Sequence, residues 1–138
     1  MRCVRYFREA LGKFEFDRTE DRIADAFQYR FTDGRGNDYW VHFLPVAGSP
    51  GCYELEYLTQ DYDYNAMTAG FIPFTISNMV FGEILSHFAA DPGFEEVVVR
   101  PTDDRRKSLY LRTLRQRFRR PDWSVTEDED GDIHVSNR

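Results

Sequence analysis

The sequence predicts an α+β fold: a mainly antiparallel, twisted sheet with two or three helices packed on it. Three observations predict it. In the first half, residues 27–31 and 53–58 alternate apolar with polar side chains, the period of a strand with one buried face, and 39–44 reads as the strand returning beside 27–31. In the second half, 75–90 and 103–118 repeat apolar residues three and four apart, the period of a helix with one buried stripe. Between the two helical stretches, Val97-Val98-Val99 reads as a buried strand. The 138 residues suffice for one core and not for two, so residues 1–138 are read as a single domain.

Taken in order, residues 2–14 allow an amphipathic helix, with Val4, Phe7, Leu11 and Phe14 on one side and Gly12 as its stop. Residues 17–25 are polar and read as a loop. A hairpin follows, 27–31 and 39–44 joined through the turn formers of 32–38, with Pro45 ending the second strand. After a loop at 46–51, residues 53–58 complete a three-stranded meander, with Glu54 and Glu56 on its wet face. Residues 60–70 support no assignment, and 71–74 read as a short edge strand because Pro73 cannot sit in a central one.

Thr75 or Ser77 is the expected cap of a helix running to about Ala90, with Ile76, Met79, Val80, Phe81, Ile84 and Phe88 as its apolar face. Asp91-Pro92-Gly93 ends it. The strand at 95–100 stops at Pro101, and Asp103 suits the cap of a second helix bearing Tyr110, Leu111, Leu114 and Phe118. Trp123 to Thr126 and Ile133 to Val135 then form a hairpin about Asp130-Gly131. The expected core joins Phe43, Ile84, Phe88, Val98, Leu114 and Phe118.

Charge is segregated along the chain. The net charge is −6, yet no acid falls between Arg105 and Arg120, where Arg105, Arg106, Lys107, Arg112, Arg115, Arg117, Arg119 and Arg120 crowd one helix and its end. Residues 122–132 are correspondingly acidic, so a self-neutralised surface is one reading. The other is a binding face formed by Arg105, Arg106, Arg112, Arg115 and Arg119, three of which fall on one stripe able to follow phosphates or an acidic protein. No aromatic residue interleaves on that helical face, so it offers no platform for stacking bases.

Other chemistry is sparse. His42, His87 and His134 fall in separate elements without metal-ligand spacing, so no metal is expected. Cys3 and Cys52 lie far apart and read as reduced thiols of a cytoplasmic protein. The N-terminus has scattered charges and no apolar run of a secretory signal, and no stretch is apolar enough to span a membrane. Glu54, Glu56, Asp61 and Asp63 form an acidic strip beside Tyr57, Tyr62 and Tyr64, a composition suited to a protein contact.

The element order is similar to that of the GNAT acetyltransferase superfamily. Asp103-Asp104-Arg105-Arg106-Lys107-Ser108-Leu109-Tyr110 resembles that family's N-x-x-A-x-x-L-Y segment in the spacing of its cap, Leu109 and Tyr110. The resemblance implies Tyr110 as general acid and, with Glu54 or Glu56 as base, an acyltransferase using acetyl-CoA. The family's glycine-rich loop has no counterpart: 69–77 holds one glycine, no basic residue and Pro73, which lacks an N–H for a pyrophosphate. No cofactor is therefore expected. The second half also resembles small uncharacterised bacterial and phage-borne proteins with a strand followed by a D/E-x-x-R-x-x-L-Y helix. The expected function is a non-catalytic interaction domain of that mobile-element kind, taking an acidic protein or nucleic acid on its basic helix. The alternative is the divergent acyltransferase.

Overall fold

The computed structural model describes residues 2–8, 14–21, 26–32, 38–59, 77–101 and 104–137, with side chains described for 26–32, 38–56, 77–101 and 104–137. Eight strands form one sheet: β1 (Arg2–Arg8), β2 (Phe14–Asp21), β3 (Ala26–Thr32), β4 (Asp38–Pro45), β5 (Cys52–Thr59), β6 (Glu96–Val99), β7 (Trp123–Glu127) and β8 (Ile133–Asn137). Their order is β1-β2-β3-β4-β5-β6-β8-β7. Every neighbouring pair is antiparallel except β5 with β6, so the sheet is mixed. The six strands β3 to β8 carry the described core.

The α+β class, the meander and the final hairpin are as expected. Residues 2–8 and 14 are strand, not helix. They hold β1 and the first residue of β2, which pair with each other, and β2 extends through Asp21 into the stretch read as a loop. The reason is pairing: Cys3, Val4, Tyr6, Phe7, Phe14 and Phe16 are strand formers, and β3 offers β2 a ladder that local helical spacing cannot outweigh. The readings at 60–70 and 71–74, and the caps at Thr75 and Asp103, lie outside the described residues.

The connection from β5 to β6 enters the described structure as a π-helical segment, Asn78–Ile84, which continues as α1 (Leu85–Ala89). Ser77 does not cap it: its backbone is already helical, and its hydroxyl is hydrogen-bonded 2.9 Å from Thr113 Oγ1 of α2 (Asp104–Arg117). That buried hydroxyl pair joins the two helical elements, which is why neither polar group is left unsatisfied in the core. Gly51, in the turn before β5, has a left-handed φ of 81°, and its carbonyl accepts from Glu95 and Glu96 at 2.8 and 3.2 Å. A Cβ there would lie 2.5 Å from the Gly93 carbonyl oxygen, so only glycine lets the two turns meet.

Both helical elements cover one face of the sheet. Tyr29, Phe31, Tyr39, Val41, Phe43, Leu55, Val97, Val99, Ile133 and Val135 point into that core from the strands. Phe88 stacks on Phe43 with centroids 3.8 Å apart, Phe81 packs on Tyr110 at 4.5 Å, and Tyr29 Oη is hydrogen-bonded to His87 Nδ1 at 2.8 Å. Phe43, Ile84, Phe88, Leu114 and Phe118 are buried as expected. Val98 is not among them. The pleat of β6 turns Val97 and Val99 inward, and Val98 faces the side opposite the helices, between Glu54 and His134 in the register.

Candidate functional site

The basic stretch is α2 and the turn after it, and the fold divides its charges by position. At the N-terminal end, Lys107 Nζ lies 2.9 Å from Glu127 Oε2 and 3.7 Å from Asp104 Oδ1. The hydrogen bond to Glu127 is the main reason its ammonium keeps its proton above the usual lysine range. Arg105 is exposed on the first turn, while Arg106 is partly buried with a partner of its own. Arg117 turns toward the helical layer, where Nη2 lies 3.0 Å from Glu83 Oε1 and Nε donates to the Gly82 carbonyl at 3.3 Å.

The acidic β7–β8 turn is engaged elsewhere. Asp132 Oδ2 accepts from Arg100 Nε at 3.2 Å, and Arg100 Nη1 also meets Glu54 Oε1 at 2.8 Å. Asp128 Oδ2 accepts from His134 Nε2 at 2.8 Å, and Glu96 Oε1 accepts from His134 Nδ1. Burial works against a charged His134, but hydrogen bonds to Asp128 and Glu96 outweigh it and raise its pKa above the ordinary 6.5. The remaining oxygen of Asp128, Oδ1, takes the backbone N–H groups of Asp130 and Asp132 at 2.9 and 3.0 Å. Asp128, Asp130 and Asp132 do approach within 4.8 Å of one another, but these contacts account for them as a hairpin turn in which Gly131 supplies a φ of 83°.

What the acidic turn does not reach is the C-terminal half of α2. Arg112, Arg115, Arg119 and Arg120 are exposed, and among the described residues none of them meets a carboxylate. They line an open cavity of about 660 Å³ together with Gln116, Phe118, Trp123 and Val125. Local structure builds it. Phe118 N–H still bonds the Leu114 carbonyl, and after Arg120-Pro121 the Trp123 N–H returns to the Arg119 carbonyl at 3.0 Å. That tight return sets the first residue of β7 beside the end of the helix. Phe118 meets Trp123 edge-on at 4.9 Å and fixes its ring. Arg119 Nε donates to the Gln116 carbonyl at 3.1 Å, leaving its other guanidinium N–H groups toward solvent.

Of the five arginines expected to bind, the pocket thus brings together Arg112, Arg115 and Arg119, and it leaves out Arg105 and Arg106. Arg120, Trp123 and Val125 join it from the turn and from β7. The buried Phe118 at the end of the basic stretch and the partly exposed Trp123 of β7 give this side its aromatic lining, the second only through the chain's return.

The residues implied by the acyltransferase resemblance lie apart. Tyr110 is 1% exposed and packed on Phe81 in the helix-covered core. Glu54 and Glu56 are on the face opposite the helices, Glu54 paired with Arg100 and Glu56 with His42, whose Nδ1 lies 3.1 Å from Glu56 Oε1 and whose Nε2 lies 2.9 Å from Gln28 Oε1. Burial, with Glu96 and Glu95 adding, pushes the Cys52 thiol above its ordinary pKa, the opposite of what a nucleophile requires. No helix among the described residues is long and apolar enough to cross a membrane. No family model and no curated protein matches the chain.

Proposed function

We propose that this chain is a non-catalytic binding domain that takes an anionic partner, nucleic acid or acidic protein, in the arginine pocket at the end of α2. One observation carries the reading: Arg112, Arg115, Arg119 and Arg120 converge on a single cavity while the acidic turn of the same chain is engaged by Arg100 and His134. Self-neutralisation explains Lys107 and leaves these four unexplained. Exposed like charges repel unless a counter-charge arrives, so their clustering favours an incoming anion. The test is binding of a short oligonucleotide and of polyglutamate across a salt series, for the wild type and for Arg112→Ala/Arg115→Ala/Arg119→Ala. Affinity that falls with salt and is lost in the variant supports the reading. Unchanged binding in the variant refutes it.

A second reading, the divergent GNAT-like acyltransferase, draws on one observation of topology. The parallel pairing joins Cys52–Leu55 to Glu96–Val99, where β6 ends, and β5 runs on to Thr59 beyond it. Ligands of such sheets favour the C-terminal end of a parallel pair. Against this stand the burial of Tyr110 and the position of Glu54 and Glu56 across the sheet from it. Acetyl-CoA turnover that disappears in Tyr110→Phe would favour this reading over the first.

A further inference from the structure

We propose that the occupant of the arginine pocket is single-stranded nucleic acid, with phosphates on Arg112, Arg115 and Arg119 and a base stacked on Trp123. The inference rests on the anion-binding reading and adds the identity of the ligand. Charge alone does not separate a nucleic acid from an acidic peptide, but the rest of the lining does. Phe118, Trp123 and Val125 give the cavity an apolar side directly beside the guanidinium groups. A run of carboxylates would satisfy the arginines and leave that side against water. A nucleotide brings a phosphate and a flat ring in one unit, which matches both halves of the lining.

The geometry agrees. Arg112 and Arg115 sit about one turn apart on α2, roughly 4.5 Å along its axis, and Arg119 follows two residues past the helix end, all three lining the cavity with the Trp123 ring. Phe118 holds that ring edge-on, so little freedom is lost when a base settles on it. Duplex bases are already stacked on one another and cannot lie on a tryptophan without being pulled out of the helix. A chain of net charge −6 also repels a long stiff polyanion more than a short flexible strand that touches only this one basic pole.

The experiment uses Trp40→Phe, in which Trp123 is the only tryptophan, since the chain has two. It is titrated with a short mixed-sequence single-stranded oligonucleotide, the corresponding duplex and polyglutamate. The single strand should quench Trp123 emission and bind at least tenfold more tightly than the duplex. Its log affinity should fall with log salt at about −0.7 per contacted phosphate, a slope near −2 for three. Trp123→Leu should weaken the oligonucleotide about tenfold and leave polyglutamate unchanged. Because the quenching is read in a folded protein that keeps Trp123, the result does not depend on how well Trp123→Leu folds. If the oligonucleotide leaves Trp123 emission unchanged, or polyglutamate binds as tightly as the single strand, the stacking inference is overturned and the anion-binding reading survives. If Arg112→Ala/Arg115→Ala/Arg119→Ala binds every probe as the wild type does, or the wild type binds none, both fall together.

Discussion

Arg117 Nη2 lies 3.0 Å from Glu83 Oε1, which ties the last turn of the basic helix to the π-helical segment behind it. The Glu83 side chain is only 10% exposed and that of Arg117 is 42% exposed, so one partner is nearly buried and the other reaches it from the surface. This arginine belongs to the fold, unlike its neighbours along the chain. Arg117→Ala leaves the Glu83 carboxylate without its guanidinium and should lower stability in urea unfolding by about 1–3 kcal/mol. A loss within about 0.5 kcal/mol, the range of ordinary surface changes, would show that the pair contributes nothing.

Leu114 is fully buried where α2 meets the sheet. Leu114→Ala removes its packing and leaves a cavity, at a cost of about 2–5 kcal/mol. Chemical denaturation checks it, and a loss below about 1 kcal/mol would contradict the packing of this helix on the core.

His134 gives the stability a pH dependence. Its folded pKa is raised above 6.5, so its contribution is fully present below about pH 6.5 and is lost as pH rises through the folded value. Asp128 works in the other sense: hydrogen bonding to His134 lowers its pKa below 3.8, so its contribution is lost only as pH falls through that lower value. The Tm difference between wild type and His134→Gln should therefore be largest near pH 5–6 and shrink above neutrality. A difference that is flat from pH 5 to 9, or an imidazole titrating below 6.5 by NMR, would count against the network.

Three of the four pocket arginines, Arg112, Arg115 and Arg119, should be dispensable for folding. Exposed charges of this kind contribute about 0–1 kcal/mol each at most, and Arg112, Arg115 and Arg119 meet no carboxylate among the described residues. Arg112→Ala/Arg115→Ala/Arg119→Ala should keep the wild-type midpoint within a few degrees while losing anion binding. Asp128→Asn/Asp132→Asn should do the reverse, lowering stability without changing the pocket's affinity. A fall in midpoint comparable to that of Leu114→Ala in the arginine variant would make those residues structural.

Acetyl-CoA should not bind at millimolar concentration. The expectation comes from 69–77, where Pro73 and the single Gly70 replace a glycine-rich phosphate cradle. Saturable heat in isothermal calorimetry would reverse it.

The strands and helices that alternate or repeat cleanly were legible in the chain itself. Residues 27–31 and 53–58 announce β3 and β5 by period two, the turn formers at 32–38 announce β4 as the returning strand, and Tyr110, Leu114 and Phe118 announce the buried stripe of α2 by spacing. These patterns are local, because each side chain's face follows from its neighbours a few residues away. Three consecutive valines carry no such phase, and only pairing with β5 and β8 turned Val97 and Val99 inward and Val98 outward. Pairing likewise decided that residues 2–8 are a strand, since a ladder on a neighbouring hairpin outweighs weak helical spacing. The concentration of arginine was visible in the sequence, but its division was not. Glu83, Glu127 and Trp123 are distant or follow in another element, and only the tertiary structure assigned Arg117 to a buried carboxylate, Lys107 to the hairpin, and Arg112, Arg115 and Arg119 to a pocket with an aromatic side. Charge is a property of composition. Which charges remain unpaired depends on where the chain returns to meet them.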